Sequence, residues 1–88
     1  MHLVYILKSI QHKEQHYTGS TSKTIEERVK RHNQGDYAFT KKYRPWTIVY
    51  TEPYKSRSAA IKRERYLKTG IGREEVKRIL EQIHCPVV

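Results

Sequence analysis

Five side chains of this sequence have types and positions that suit phosphate ester hydrolysis. They are Tyr5, Tyr17, Arg28, His32 and Glu64. An arginine can bind a phosphoryl group through its planar guanidinium, a histidine can transfer a proton, and a carboxylate can bind a divalent cation. A tyrosine has a pKa of about 10, so it serves as a base only where nearby positive charge lowers that value.

Glu64 lies in the apolar stripe of a predicted helix, beside Ala60 and Leu67. The solvent side of that helix takes the cations Lys62, Arg63 and Arg65. An unpaired buried carboxylate is costly, so Glu64 needs a cation or a metal beside it. Helix statistics favour an ion pair with Lys68 or with an arginine of the first helix. A divalent-metal ligand is the functional alternative.

Arg28 and His32 border the packed side of the first predicted helix, next to Ile25 and Val29. From there Arg28 can stabilise charge on a phosphoryl group and His32 can shuttle a proton. A structural interpretation is equally open, in which Arg28 extends its charge to solvent and His32 is a cation at the helix C-terminus. The two tyrosines can likewise be ordinary strand aromatics.

Two strands that look like a hairpin precede this helix. They cover the apolar run 3–7 and residues 15–21. A hairpin symmetric about Gln11 would place Tyr5 directly opposite Tyr17, with Cβ atoms about 4.5–5.5 Å apart.

Helix signals frame the rest of the chain. Thr24 and Glu27 form a capping-box pattern, and this helix is expected to end near Asn33. Residues 34–45 then form a long connection. A third strand is expected over 46–51.

The third strand should stop near Pro53, and Ser56 or Ser58 can cap a second helix that runs to about Lys68. Residues 69–72, which contain two glycines, should end it. A last helix, limited by Pro86, has a clear apolar period at Val76, Ile79, Leu80 and Ile83. The predicted order is ββαβαα, and the fold class is α+β.

Composition limits the class of protein. The 88 residues carry 18 Lys and Arg against 9 Asp and Glu, a formal net charge of +9, so a polyanion such as nucleic acid is the expected partner. This length supports one core, so we expect one domain over residues 1–88. The sequence contains no run of about 18 apolar residues, so we expect no membrane span. The single cysteine, Cys85, cannot form an internal disulfide, which fits a reducing cytoplasm.

The connection at 34–45 interleaves rings with cations, as expected of a surface that follows phosphates and stacks bases. Its members are Tyr37, Phe39, Lys41, Lys42, Tyr43 and Arg44. A solvated loop whose rings pack against the sheet is the alternative. Walker, GxGxxG, HExxH and GxSxG motifs are absent, and the histidines form no i, i+4 pair within a predicted helix, which disfavours a zinc hydrolase.

Taken in order, these residues resemble the GIY-YIG nuclease superfamily, in particular its small stand-alone bacterial members. The resemblance extends to the N-terminal nuclease domain of an excinuclease and to that of intron homing endonucleases. Residues 3–5, Leu-Val-Tyr, stand where the family has Gly-Ile-Tyr, and residues 17–19, Tyr-Thr-Gly, where it has Tyr-Ile-Gly. Residues 24–33 look like its arginine-bearing helix, and residues 59–68 like the helix with its metal-binding glutamate.

The resemblance implies a three-stranded antiparallel sheet flanked by helices, and hydrolysis of DNA with one divalent cation, Mg²⁺ or Mn²⁺. In that scheme Glu64 binds the cation, Tyr5 or Tyr17 helps to deprotonate the attacking water, and Arg28 holds the scissile phosphate. His32 assists proton transfer.

The same resemblance implies further substrate contacts. Lys68 would contact the phosphate, and Gly19 would let the backbone approach the substrate. We also expect the loop cations Lys41, Lys42 and Arg44 to bind the nucleic acid.

Three functions follow from these patterns. The leading hypothesis is a metal-dependent endonuclease of low sequence specificity that acts on branched, flapped or damaged DNA in repair, with targeting left to the compact surface or to a protein partner. A non-catalytic nucleic-acid-binding module on the same fold is the alternative. A protein-interaction domain without catalysis is the third, and it rests only on small size and a basic face.

Overall fold

A computed structural model describes residues 2–12, 15–35 and 37–84, except for the side chains of residues 83 and 84. Seven elements follow one another along the chain. They are β1 (His2–Ser9), β2 (His16–Thr21), α1 (Ile25–Gln34), α2 (Ala38–Lys42), β3 (Trp46–Tyr54), α3 (Arg57–Leu67) and α4 (Gly70–His84). Among the described residues, no helix is long and apolar enough to cross a membrane. The predicted roles of Cys85 and Pro86 lie outside the described residues.

The strands form an antiparallel sheet in the order β2-β1-β3, so the α+β class and the three-stranded sheet are confirmed. The predicted hairpin register was wrong. Tyr5 lies opposite Gly19, and Tyr17 lies opposite Leu7, so the hairpin is centred one residue beyond Gln11. Tyr5 and Tyr17 are therefore diagonal neighbours on one face, because side chains two residues apart on a strand share a face.

The third strand is longer than predicted, since it continues through Pro53 to Tyr54. Pro53 is tolerated because β3 is an edge strand, which pairs with β1 alone.

The central strand β1 is buried on both faces, and alternate residues feed two cores. Val4 and Ile6 pack with Ala60, Leu67 and Val76 under α3 and α4. This position of Val76 agrees with the predicted apolar face of the last helix.

On the opposite face of the sheet, Tyr5 and Leu7 pack with Trp46. Ile25 and Val29 of α1 cover them, so α1 lies on this face through the stripe that the sequence indicated.

The first two predicted helix starts are confirmed by their caps. Thr24 accepts a hydrogen bond from the backbone N–H of Glu27, and Ser56, rather than Ser58, accepts one from the N–H of Ala59. Gly35 ends α1 in the left-handed conformation at φ 88°.

α3 ends at Leu67, before the glycine-containing stretch at 69–72 as predicted, and α4 already begins within that stretch at Gly70. Thr69 Oγ1 accepts a hydrogen bond from the N–H of Gly72 at 3.1 Å. A Cβ on Gly72 would lie 1.8 Å from the carbonyl oxygen of Tyr66. The absence of a side chain therefore lets α4 start directly against the end of α3.

The connection at 34–45 contains the short helix α2, so the order is ββααβαα rather than ββαβαα. Trp46 holds this segment in place: its indole N–H donates to the carbonyl of Thr40 at 2.7 Å. Its backbone N–H and carbonyl both bond the side-chain amide of Asn33 on α1. These long-range contacts have no local sequence pattern, which explains why α2 was missed.

Arg63 was wrongly predicted to face solvent. Its side chain is 22% exposed and donates to Glu52 at 3.0 Å and 3.1 Å, and it also pairs with Glu75. The two carboxylates come from β3 and α4, so this arginine ties both elements to α3.

Candidate active site

Tyr5 lies at the centre of a polar cluster on the α1 face of the sheet. Its hydroxyl lies 2.9 Å from His32 Nε2 and accepts a hydrogen bond from Arg28 Nε at 3.3 Å. Arg28 and His32 are four residues apart, so one turn of α1 presents both to the same strand residue. Arg28 and His32, which the sequence placed beside the apolar stripe of this helix, therefore both contact Tyr5.

Tyr17 joins this group from the neighbouring strand. Its ring centroid lies 6.4 Å from that of Tyr5 and 5.0 Å from that of His32. Tyr5 and His32 are almost completely buried, whereas Tyr17 and Arg28 are half-buried. We call these four residues, Tyr5, Tyr17, Arg28 and His32, the tyrosine cluster.

Gly19 leaves the space that the tyrosine cluster needs. A Cβ at this position would lie 2.6 Å from the Tyr5 hydroxyl and 2.9 Å from the ring of Tyr17. The residue opposite Tyr5 must therefore be glycine if the hydroxyl is to reach His32. This reason for glycine is internal packing, whereas the family resemblance implied close approach to substrate.

Burial sets the protonation states in the tyrosine cluster. Burial raises the pKa of Tyr5 to about 12, although the hydrogen bond and charge of Arg28 oppose this shift. Burial, followed by the charge of Arg28, lowers the pKa of His32 to about 4. Both groups are therefore neutral at pH 7, and His32 is not the helix C-terminal cation of the structural interpretation.

Glu64 lies on α3 with its side chain 21% exposed. It accepts a hydrogen bond from Ser20 Oγ at 2.5 Å and forms an ion pair with Lys68 Nζ at 2.8 Å. The predicted ion pair with Lys68 is therefore present. An ionised carboxylate offers about four lone-pair positions, and these two partners leave the remainder available.

Lys68 connects Glu64 with the tyrosine cluster. Its Nζ, which bonds Glu64, lies 5.2 Å from the ring centroid of Tyr17. Ser20, the other partner of Glu64, follows Gly19 on the edge strand β2. The five predicted residues thus lie around one edge of the sheet, with four on the α1 side and Glu64 on α3.

A divalent cation would find oxygen ligands at Glu64. The described part of the chain contains no group of three or more His, Cys, Asp or Glu residues that could hold a metal. Mg²⁺ is commonly held by one or two carboxylates together with water and substrate phosphates. A single carboxylate with free lone pairs fits that mode.

Tyr37 belongs to the site, whereas the sequence indicated either a nucleic-acid-binding surface or packing against the sheet for the rings of this loop. Its ring lies 4.6 Å from that of His32, and the guanidinium carbon of Arg28 lies 5.2 Å from its centroid. It therefore packs against Arg28 by a cation–π contact. The aromatic composition of the loop was the available signal, but nothing local showed where the loop folds.

The loop cations lie around α2. Lys42 Nζ lies 5.5 Å from the ring centroid of Tyr43, and Arg44 lies beside Gly35 at the end of α1. All three cations, Lys41, Lys42 and Arg44, are exposed. Their predicted contact with nucleic acid stays a prediction.

Comparison with known proteins agrees with this arrangement. The family model for the GIY-YIG catalytic domain matches residues 1–75. UPF0213 proteins of Staphylococcus aureus strains Mu3 and N315 are 39% identical over 82 residues, which cover 92% of this chain and 96% of each relative. The chain therefore belongs to the GIY-YIG catalytic domain family, a family of nucleases.

Proposed function

We propose that this protein is an endonuclease that hydrolyses DNA phosphodiester bonds with one divalent cation, Mg²⁺ or Mn²⁺, and with little sequence preference. The observation that supports this function is the meeting of the tyrosine cluster with Glu64 around the β2 edge. This edge of the sheet then offers a cation for the phosphate, groups for proton transfer and a carboxylate for the metal.

Arg28 is the residue that would hold the scissile phosphate. It uses Nε for Tyr5, which leaves the terminal N–H groups of its guanidinium for phosphoryl oxygens. The guanidinium is charged at all working pH values, and charge that builds up on the phosphoryl oxygens strengthens its hydrogen bonds. Tyr5 and Tyr37 fix its position from two sides.

We assign the contact with the attacking water to Tyr17. Tyr5 is fully buried, whereas Tyr17 is half-buried, so Tyr17 is the tyrosine that water can approach without rearrangement. His32 hydrogen-bonds the Tyr5 hydroxyl, and its ring lies 5.0 Å from that of Tyr17, so it positions both tyrosines.

Glu64 would hold the divalent cation, with Lys68 displaced towards the substrate. Lys68 is 45% exposed, and such ion pairs contribute only about 0–1 kcal/mol, so its displacement costs little. A cation bound there supplies Lewis-acid stabilisation of the charge on the phosphoryl oxygens.

Nicking of supercoiled plasmid and of a branched DNA, with Mg²⁺ or Mn²⁺, tests this function. We expect cleavage by the wild type, and its loss in Glu64→Ala with DNA binding retained. Glu81→Ala, which removes an exposed carboxylate of α4, is the matched control and should cleave normally. Binding without cleavage by the wild type, in both metals, would instead identify a nucleic-acid-binding module.

A further inference from the structure

A cavity of about 280 Å³ lies beside the tyrosine cluster, where the end of β2 meets the starts of α1 and α3. Arg28 and Ser20 line it, so it is continuous with the proposed active site. Its other polar walls come from residues that the proposed reaction does not use, namely His2, Ser22, Lys23 and Arg57.

The cavity carries positive charge without compensation. Lys23, Arg28 and Arg57 line it, and its wall contains no acidic residue. Over the described residues, neither Lys23 nor Arg57 pairs with a carboxylate, in contrast to Arg63 and Lys68. Cations left unpaired around one concave surface attract an anion.

The backbone at both of these unpaired cations is held in place. The N–H of Lys23 donates to Thr21 Oγ1 at 3.0 Å, which holds the turn between β2 and α1. Arg57 is the first residue of α3, directly after its capping serine. Arg57 and Glu64 are seven residues apart, so they share a face of α3 with about 10 Å between their Cα atoms.

We propose that this cavity binds a second backbone phosphate of the DNA strand, adjacent to the phosphate held by Arg28, with Lys23 and Arg57 as its ligands. The inference rests on the proposed function for the identity of the anion. It gives the strand a direction across the site, from the tyrosine cluster towards the start of α3. A contact with a flanking phosphate strengthens ground-state and transition-state binding alike, so its removal should raise KM more than it lowers kcat.

The test compares Lys23→Ala/Arg57→Ala with Lys30→Ala/Lys77→Ala, which removes the same charge from exposed positions on α1 and α4. Binding of a 20-base-pair duplex is measured in EDTA at several salt concentrations. The first variant should reduce the slope of log K against log salt by about 0.9, because it loses one phosphate contact and each contact contributes about 0.9. The second variant should reduce it by clearly less. Equal slopes for the two variants would overturn the inference.

A second arm uses cleavage of duplexes that carry one neutral methylphosphonate beside the cut. The KM of the wild type should rise when the neutral group is on one side of the cut and not when it is on the other. The KM of the Lys23→Ala/Arg57→Ala variant should be the same for a charged and a neutral group on that side. A 5′-phosphate should not change binding, because the site takes an internal diester; dependence on that end group would contradict the inference. If the wild type does not cleave but the EDTA slopes still differ as expected, the proposed function fails and the phosphate site stands.

Discussion

Glu52 on β3 and Glu64 on α3 are both partly buried carboxylates with a cation and a hydroxyl as partners, yet their surroundings differ. Glu52 accepts hydrogen bonds from two atoms of Arg63 and from the hydroxyls of Tyr50 and Tyr54. These four donors fill the lone-pair positions of a carboxylate. Glu64 has only Ser20 and an exposed lysine. Side-chain exposure is similar, 16% for Glu52 and 21% for Glu64. The two carboxylates therefore differ in how many of their lone pairs accept hydrogen bonds, and not in burial.

The arginines of the two regions differ in the same way. Arg63 is bound by Glu52 and Glu75, which joins three elements of the fold. Arg28 bonds the neutral hydroxyl of Tyr5 and stacks on Tyr37, with no carboxylate partner among the described residues. In one region the charges neutralise each other and stabilise the fold, and in the other they remain available for a ligand.

The largest effect should distinguish the two arginines by activity. Arg28→Lys should lower the single-turnover rate of plasmid nicking about 10²–10³-fold, because the planar fork that holds the phosphate is lost. Arg63→Lys should leave the rate of the folded protein within a few-fold of wild type. A rate loss of similar size in both variants would remove the functional contrast between the regions.

The free energy of unfolding should depend on Glu52 and much less on Glu64. Glu52→Gln should lower the free energy of unfolding by about 2–3 kcal/mol, because it leaves Arg63 and two tyrosine hydroxyls short of an acceptor. Glu64→Gln should change it by less than about 1 kcal/mol, since its ion pair is with an exposed lysine. Urea denaturation measures both, and a larger loss in Glu64→Gln would reverse the assignment.

Tyr5→Phe should produce a smaller loss, within the tyrosine cluster itself. Removal of the hydroxyl leaves both ring nitrogens of buried His32 without a described partner, because Nδ1 already has none. The expected cost is about 1–2 kcal/mol of unfolding free energy. Tyr17→Phe, in which the ring is half-buried, serves as the control: it should be stable but inactive in nicking. Full stability of Tyr5→Phe would contradict the hydrogen bond.

Mild acid should affect the two regions at different pH values. The pKa of His32 falls from 6.5 unfolded to about 4 folded, so the unfolded chain binds more protons between these values. Stability should therefore decrease as pH falls from 6.5 to 4. For Glu52, burial raises the pKa, but the hydrogen bonds from Arg63 and the tyrosines lower it by more, so the net shift is downwards from 4.5. The stability that Glu52 contributes is therefore lost only when the pH falls below 4.5. Unfolding at pH 7 and pH 5 should show a loss of stability in wild type and a smaller loss in His32→Gln, where His16, whose pKa burial also lowers, still contributes.

Local signals predicted much of the scaffold. The caps at Thr24 and Ser56 and the position of Glu64 beside an apolar stripe depend on residues close in sequence, and they were predicted correctly. The spacing of Arg28 and His32 likewise placed both on one side of a helix.

Features that depend on distant residues could not be predicted in this way. The hydrogen bonds of Arg63 with Glu52 and Glu75 form only when β3, α3 and α4 come together. The sequence of α3 alone therefore indicated that Arg63 faces solvent. The placement of Tyr37 over Arg28 depends on how the loop after α1 folds. The hairpin register was missed because the sequence does not fix the centre of the turn. When that centre shifts by one residue, the partner of Tyr5 changes from Tyr17 to Gly19.

A Mn²⁺ titration followed by amide NMR tests most directly whether Glu64, and not Glu52, is open to a divalent cation. Paramagnetic broadening should be strongest at Ser20, Glu64 and Lys68 and weaker at Glu52 at the same concentration, because it falls steeply with distance from the ion. Glu64→Gln should abolish the selective broadening, whereas Glu52→Gln should preserve it. Broadening centred on Glu52, or an unchanged pattern in Glu64→Gln, would contradict the account.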